Sequence, residues 1–145
     1  MDLSSKRFTT PTYEVSYLFR KILVPIDGSE NSLRALDVAV DFAVRYGSHI
    51  VVYYVTYRGQ DDSQEVLGKA KKRIGDLDIR VTFKHEEIDP REKATATSLV
   101  EEATNGSYDL VIIGARGRSV SEDVTIGSKP LSLIANSVVS VFVIR

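Results

Sequence analysis

The chain contains no cysteine, and among its 145 residues it has only two histidines, His49 and His85. Without thiols it can form no disulfide, no zinc–thiolate site and no cysteine nucleophile, a composition that fits a reducing cytosol. It lacks a basic excess as well. The formal net charge is -1 with no basic stripe, which argues against wholesale nucleic-acid binding. Residues 1–20 hold no apolar stretch long enough for a signal peptide, and no segment approaches the length of a membrane span, so a cytoplasmic location is the expectation. What is present is ordinary for a globular domain: 43% hydrophobic and 27% charged residues, in a chain long enough to bury a core without metal or disulfide staples.

Residues 1–19 mix Ser, Thr and Pro11 with Phe8, Tyr13, Tyr17, Leu18 and Phe19 in no sustained period, and are read as an N-terminal extension preceding a domain over 20–145. A flexible tail and a tail whose aromatics dock on this subunit or a neighbour are both open. From Lys21 the pattern becomes regular. Ile22-Leu23-Val24-Pro25-Ile26 reads as a strand, Asp27-Gly28-Ser29 as a turn with a helix cap, and Leu33, Leu36, Val40 and Ala43 mark a helix closed by Gly47. His49 to Tyr57 is β-branched and aromatic, a second strand. Val66, Leu67, Ala70 and Ile74 suggest a second helix; Ile79 to Lys84 alternates like an edge strand with one wet face. Asp89-Pro90-Arg91-Glu92 reads as the N-cap, first-turn proline and capping-box glutamate of a third helix running to about Asn105. Leu110 to Ile113 is then a fourth strand, Ser128 to about Asn136 a fourth helix, and Val138 to Arg145 a fifth strand.

Alternating strands and helices imply parallel βαβ units with right-handed crossovers. The expected architecture is an α/β three-layer sandwich around a doubly wound, five-stranded parallel sheet of order 3-2-1-4-5. Ligands in such sheets bind outside the C-terminal strand ends where the order reverses. Those ends are Asp27 after the first strand and Gly114 after the fourth. The fourth strand opens into Gly114-Ala115-Arg116-Gly117-Arg118 and, with nine residues between Gly117 and Gly127, into Gly127-Ser128-Lys129. A buried strand, a glycine-rich loop and a helix start together present backbone N–H groups to a phosphate chain.

Each residue has a plainer reading beside the functional one. Gly114, Gly117 and Gly127 either shape a turn or admit an anion that a Cβ would obstruct. Ser128 can cap the last helix and face a phosphate at once. Arg116, Arg118 and Lys129 supply positive charge for a triphosphate or simply a solvated surface. Asp27 either accepts ribose hydroxyls or satisfies its own Asp-Gly-Ser turn. Val55, near the end of the second strand, offers backbone groups to a base. Glu122 and Asp123 lie in the same loop, but no metal-binding residue is assigned.

From Arg20 to Arg145 the chain resembles the universal stress protein family, and specifically its ATP-binding branch. Lys21-Ile22-Leu23-Val24-Pro25-Ile26-Asp27-Gly28-Ser29 looks like that family's first strand and turn, and Gly114-x-x-Gly117, nine residues, Gly127-Ser128 is similar to the motif of the ATP-binding branch. The resemblance implies an adenine nucleotide alpha hydrolase-like fold and a homodimer. It also implies ATP (with ADP or AMP as alternatives), accompanied by Mg or Mn, in a crevice built by Pro25, Ile26, Asp27, Val55 and the loop Gly114 to Arg118 with its single non-glycine apolar member Ala115. Three features depart from the family: Pro130 stands where a hydroxyl residue is usual, the last strand lacks a preceding proline, and the segment between Tyr57 and Leu77 is short. The last strand, Val138 to Ile144, is almost continuously apolar and belongs at a sheet edge, where pairing with a second subunit or packing under the N-terminal extension would protect it. The first functional expectation is a nucleotide-dependent regulator in stress response with little or no catalysis. The competitors are an ATP-hydrolysing or nucleotidyl-transfer enzyme and a nucleotide-free dimeric scaffold. The chain has no Gly-x-x-x-x-Gly-Lys-Ser/Thr loop and no paired histidines.

Overall fold

The computed structural model describes residues 18–117 and 126–145. Five strands, β1 (Lys21–Pro25), β2 (His49–Tyr57), β3 (Val81–Ile88), β4 (Leu110–Gly114) and β5 (Ser140–Ile144), alternate with four helices, α1 (Glu30–Tyr46), α2 (Ser63–Ile74), α3 (Thr95–Asn105) and α4 (Ser128–Asn136). The strands form one sheet of order β3-β2-β1-β4-β5, with every neighbouring pair parallel, as the alternation of periods predicts.

The continuous apolar runs of β1, β2 and β4 exist because both faces of the sheet are covered. Ile22, Val24, Ile50, Val52, Leu110 and Ile112 pack with α1 and α2, through Leu36 and Ala70 among others. Leu23, Val51, Tyr53, Val111 and Ile113 point the other way, toward Leu99 of α3 and Leu133 of α4. Phe19 packs edge-on against Phe42 of α1, with ring centroids 5.3 Å apart. Local chemistry sets the helix ends. The Ser29 side chain accepts the Ser32 N–H at 3.2 Å, and Gly47 closes α1 in the left-handed region at φ 69°. No helix among the described residues is long and apolar enough to cross a membrane.

Three boundaries differ from the sequence reading. β3 starts at Val81 and runs through His85, Glu86 and Glu87 to Ile88, because the long β2 pairs along its length, from Ile50 with Val81 to Tyr57 with Ile88; ladder pairing overrides the charged sequence. Asp89-Pro90-Arg91-Glu92 does not start α3. It forms a separate turn in which the Asp89 carbonyl accepts the Glu92 and Lys93 N–H groups, both at 3.0 Å, and its carboxylate accepts the Arg91 N–H at 2.9 Å. The helix begins at Thr95 behind Ala94, which offers no side-chain cap. β5 starts at Ser140, since Val138 sits in the turn after α4 and is 99% exposed.

Candidate functional site

β1 and β4 lie side by side at the centre of the sheet, and the chain leaves β1 for α1 on one face and reaches α4 from β4 on the other. The reversal opens a crevice at the C-terminal strand ends. Its volume is about 740 Å³. Pro25, Ile26 and Asp27 line it from β1, Val55 from β2, Gly114, Arg116 and Gly117 from the loop after β4, and Gly127, Ser128 and Lys129 from the start of α4. Ala115 does not line it. Its backbone lies beneath, 1% exposed, donating its N–H to the Ile144 carbonyl at 2.7 Å and accepting the Gly127 N–H at 2.6 Å. Arg118, like Glu122 and Asp123, falls outside the described residues.

Asp27 has two faces. Oδ1 accepts the Ser29 N–H at 2.9 Å, which is the local turn expected of an Asp-Gly-Ser sequence. Oδ2 looks across the crevice to Gly117, where an added Cβ would come within 2.7 Å of it. Sequence positions 90 residues apart therefore come close, with Asp27 Oδ1 in the turn and Oδ2 beside the glycine loop.

None of the three loop glycines is among those with positive φ. At Gly114 a Cβ would lie 2.5 Å from Asn31 Oδ1 and 3.0 Å from the Asn31 carbonyl oxygen. Gly114 is thus required by the close approach of the first turn of α1, and Gly117 by the close approach of Asp27. Around Gly127 the nearest atom would be the Ala115 carbonyl at 3.4 Å, a tight but less demanding fit.

The amide groups divide between holding the loop and facing the crevice. Ala115 and Gly127 N–H groups are committed as described, and the Arg116 N–H donates to Asn31 Oδ1 at 2.9 Å. The first turn of α4 is different. Gly127 occupies the cap position and there is no side-chain cap, so Ser128 is the first helical residue and not the cap that its hydroxyl suggested. The N–H groups of Ser128 and Lys129 then have no acceptor within the helix, and they stand at its positive end. Pro130 follows, buried in the same turn, where it brings no N–H and leaves the helix intact. Lys129 Nζ comes within 4.0 Å of the Cβ position on Gly117, whereas Arg116 is exposed.

Of the opposite wall, only Val55 was anticipated. Tyr53, Val55 and Tyr57 alternate along β2 onto one face, meeting Thr95 and Leu99 of α3. The Thr95 hydroxyl donates to the Tyr57 oxygen at 3.3 Å. Tyr53 donates its hydroxyl to Glu86; burial, reinforced by that carboxylate, pushes the phenol far above its usual range, so it remains a donor. The period-2 pattern of β2 carried that signal. Nothing in the sequence singled out Asn31.

Comparison with known proteins places this geometry in a family. The family model described as Universal stress protein family matches residues 18–145, and the chain belongs to that family. A universal stress protein of Methanocaldococcus jannaschii is 27% identical over 146 residues, covering 88% of this chain and 83% of the relative. Among solved structures, a universal stress protein in complex with cAMP is 24% identical with a TM-score of 0.68, covering 87% of this chain and 96% of the other. A universal stress protein from Archaeoglobus fulgidus in complex with dAMP is 20% identical with a TM-score of 0.67, covering 88% and 99%. These structures share the fold described above.

Proposed function

We propose that this member of the universal stress protein family binds ATP in the crevice between β1 and β4 and acts as a nucleotide-dependent regulator in the cytoplasm, with little or no catalysis. The observation that carries the reading is the convergence of Asp27, Gly117 and the open N-terminus of α4 on one cavity. A helix N-terminus with two N–H groups that have no acceptor within the helix, and a lysine, suits a phosphate chain, and a carboxylate across from it suits ribose hydroxyls. The relatives solved with cAMP and dAMP support an adenine nucleotide as the ligand class. Mg or Mn would arrive with the triphosphate, taking most of its oxygen ligands from phosphate and water. That fits a site where no group of three His, Cys, Asp or Glu side chains is assembled among the described residues.

Neither histidine supports an acid–base role here. His49 opens β2 at the end of the sheet away from the crevice, and the His85 ring Nε2 pairs with the Thr56 hydroxyl at 2.7 Å without lining the cavity. Assembly as a homodimer through β5 completes the proposal: β5 is an edge strand whose Phe142 is 44% exposed, and an apolar edge calls for cover. The test is to denature purified protein, identify released ligand by mass spectrometry, and follow the melting temperature with Mg-ATP. An adenine nucleotide or a saturable stabilisation is expected; neither appearing would refute the reading. Steady turnover of many ATP per minute would favour an enzyme instead.

A further inference from the structure

One side chain outside the motif joins α1, the glycine loop and β5. Asn31 stands in the first turn of α1. Its Oδ1 accepts the Arg116 N–H at 2.9 Å, and its Nδ2 donates to the Ile144 carbonyl at 3.2 Å. The same carbonyl accepts the Ala115 N–H at 2.7 Å. The amide therefore ties the entry of the glycine loop to the end of β5, and Gly114 lets α1 come close enough for it to do so.

We infer that Asn31 is a positioning residue for the phosphate end of the nucleotide site, an inference that rests on the nucleotide reading above. The Asn side chain serves both partners because it offers an acceptor and a donor on a single planar group. By taking up the Arg116 N–H it fixes the Ala115–Arg116 peptide, one residue ahead of Gly117, and Gly117 in turn lies beside Asp27 and Lys129 Nζ. The exit of the loop is held by the Gly127 N–H on the Ala115 carbonyl, so the α4 N-terminus inherits the same anchor. Removing the clamp leaves the Arg116 N–H to water, which is a small loss for an exposed group, but the loop is then no longer pre-organised for an anion. The cost falls on binding of phosphates more than on folding.

The experiment compares Mg-ATP with adenosine, which lacks phosphate, by calorimetric titration of the wild-type protein and Asn31→Ala. The clamp predicts ATP affinity lowered about tenfold, the scale of one lost hydrogen bond, with adenosine affinity unchanged and faster hydrogen exchange at the Arg116 amide in the ligand-free variant. Asn31→Ser, which cannot reach both partners, replaces the alanine variant should that one not fold. ATP affinity unchanged, or ATP and adenosine weakened equally, overturns the positioning role while leaving the nucleotide site standing. Failure of the wild-type protein to bind either ligand overturns the nucleotide reading and the inference with it.

Discussion

Gly114 and Gly117 belong to the same loop, yet replacing each by alanine is expected to fail in a different way. At Gly117 the new methyl would sit 2.7 Å from Asp27 Oδ2, the far end of a side chain that can turn aside. The fold gives up at least the Asp27 bond to the Ser29 N–H, about 1 kcal/mol. For a chain of this size that is a fall of about 2–4 °C in melting temperature. The ligand loses more. A displaced Asp27 no longer meets the ribose, and a hydrogen bond to a charged group is worth about 1.5–3 kcal/mol, so ATP affinity should drop by about 10- to 150-fold. At Gly114 the methyl would meet Asn31 Oδ1 at 2.5 Å and the Asn31 main-chain carbonyl oxygen at 3.0 Å, and the helix backbone cannot swing away. Overpacking of that kind costs about 1–3 kcal/mol, so at about 2 kcal/mol the melting temperature falls by about 4–8 °C. Differential scanning calorimetry with and without Mg-ATP, together with isothermal titration, reads both quantities. An unaltered ATP affinity in Gly117→Ala would refute the pairing of Asp27 with the loop, and an unaltered melting temperature in Gly114→Ala would refute the packing of α1 on β4.

Lys129→Ala should weaken ATP about tenfold and leave adenosine unaffected, with a smaller change for the exposed Arg116→Ala; equal effects in titration would remove Lys129 from the phosphate site. Ser98 is 1% exposed and its hydroxyl has no partner among the described residues, so Ser98→Ala should raise stability by about 1 kcal/mol in a denaturant melt, and a loss would show a partner for that hydroxyl. Burial, with the charges of Arg80 and Lys21 nearby, holds the His49 imidazole below its usual pKa. The unfolded chain then binds the proton first, so this contribution to stability is intact above about pH 6.5 and is lost as pH falls below it. Denaturant midpoints across pH 5 to 7, about the range where histidine titrates, should flatten in His49→Gln and would contradict the assignment if they did not. Phe142→Lys on β5 should convert a dimer to a monomer in sedimentation equilibrium, and a wild-type monomer would refute the edge-pairing proposal.

The architecture was legible because its signals are local and redundant. The runs Ile22 to Ile26 and Leu110 to Ile113 are apolar at every position since helices cover both sheet faces, and the caps Ser29 and Gly47 mark α1 with standard chemistry. Convergence of Asp27 with the glycine loop followed from strand order alone. What escaped was set by tertiary contacts. The Asp89 turn carries every sign of a helix start, but nothing in residues 89–92 records that the chain must first leave β3. The glycines read as anion-approach positions, whereas at Gly114 and Gly117 the neighbours are Asn31 and Asp27, and Asn31 lies 83 positions from Gly114. A polar residue one position inside a helix looks like solvated surface until its two partners are seen.

The central claim is that the crevice holds an adenine nucleotide with its phosphates at the N-terminus of α4. A crystal structure of the protein grown with Mg-ATP tests it most directly. Phosphate oxygens are expected within hydrogen-bonding distance of the Ser128 and Lys129 N–H groups, with a ribose hydroxyl on Asp27. Nucleotide bound elsewhere, or phosphates directed away from α4, would contradict it.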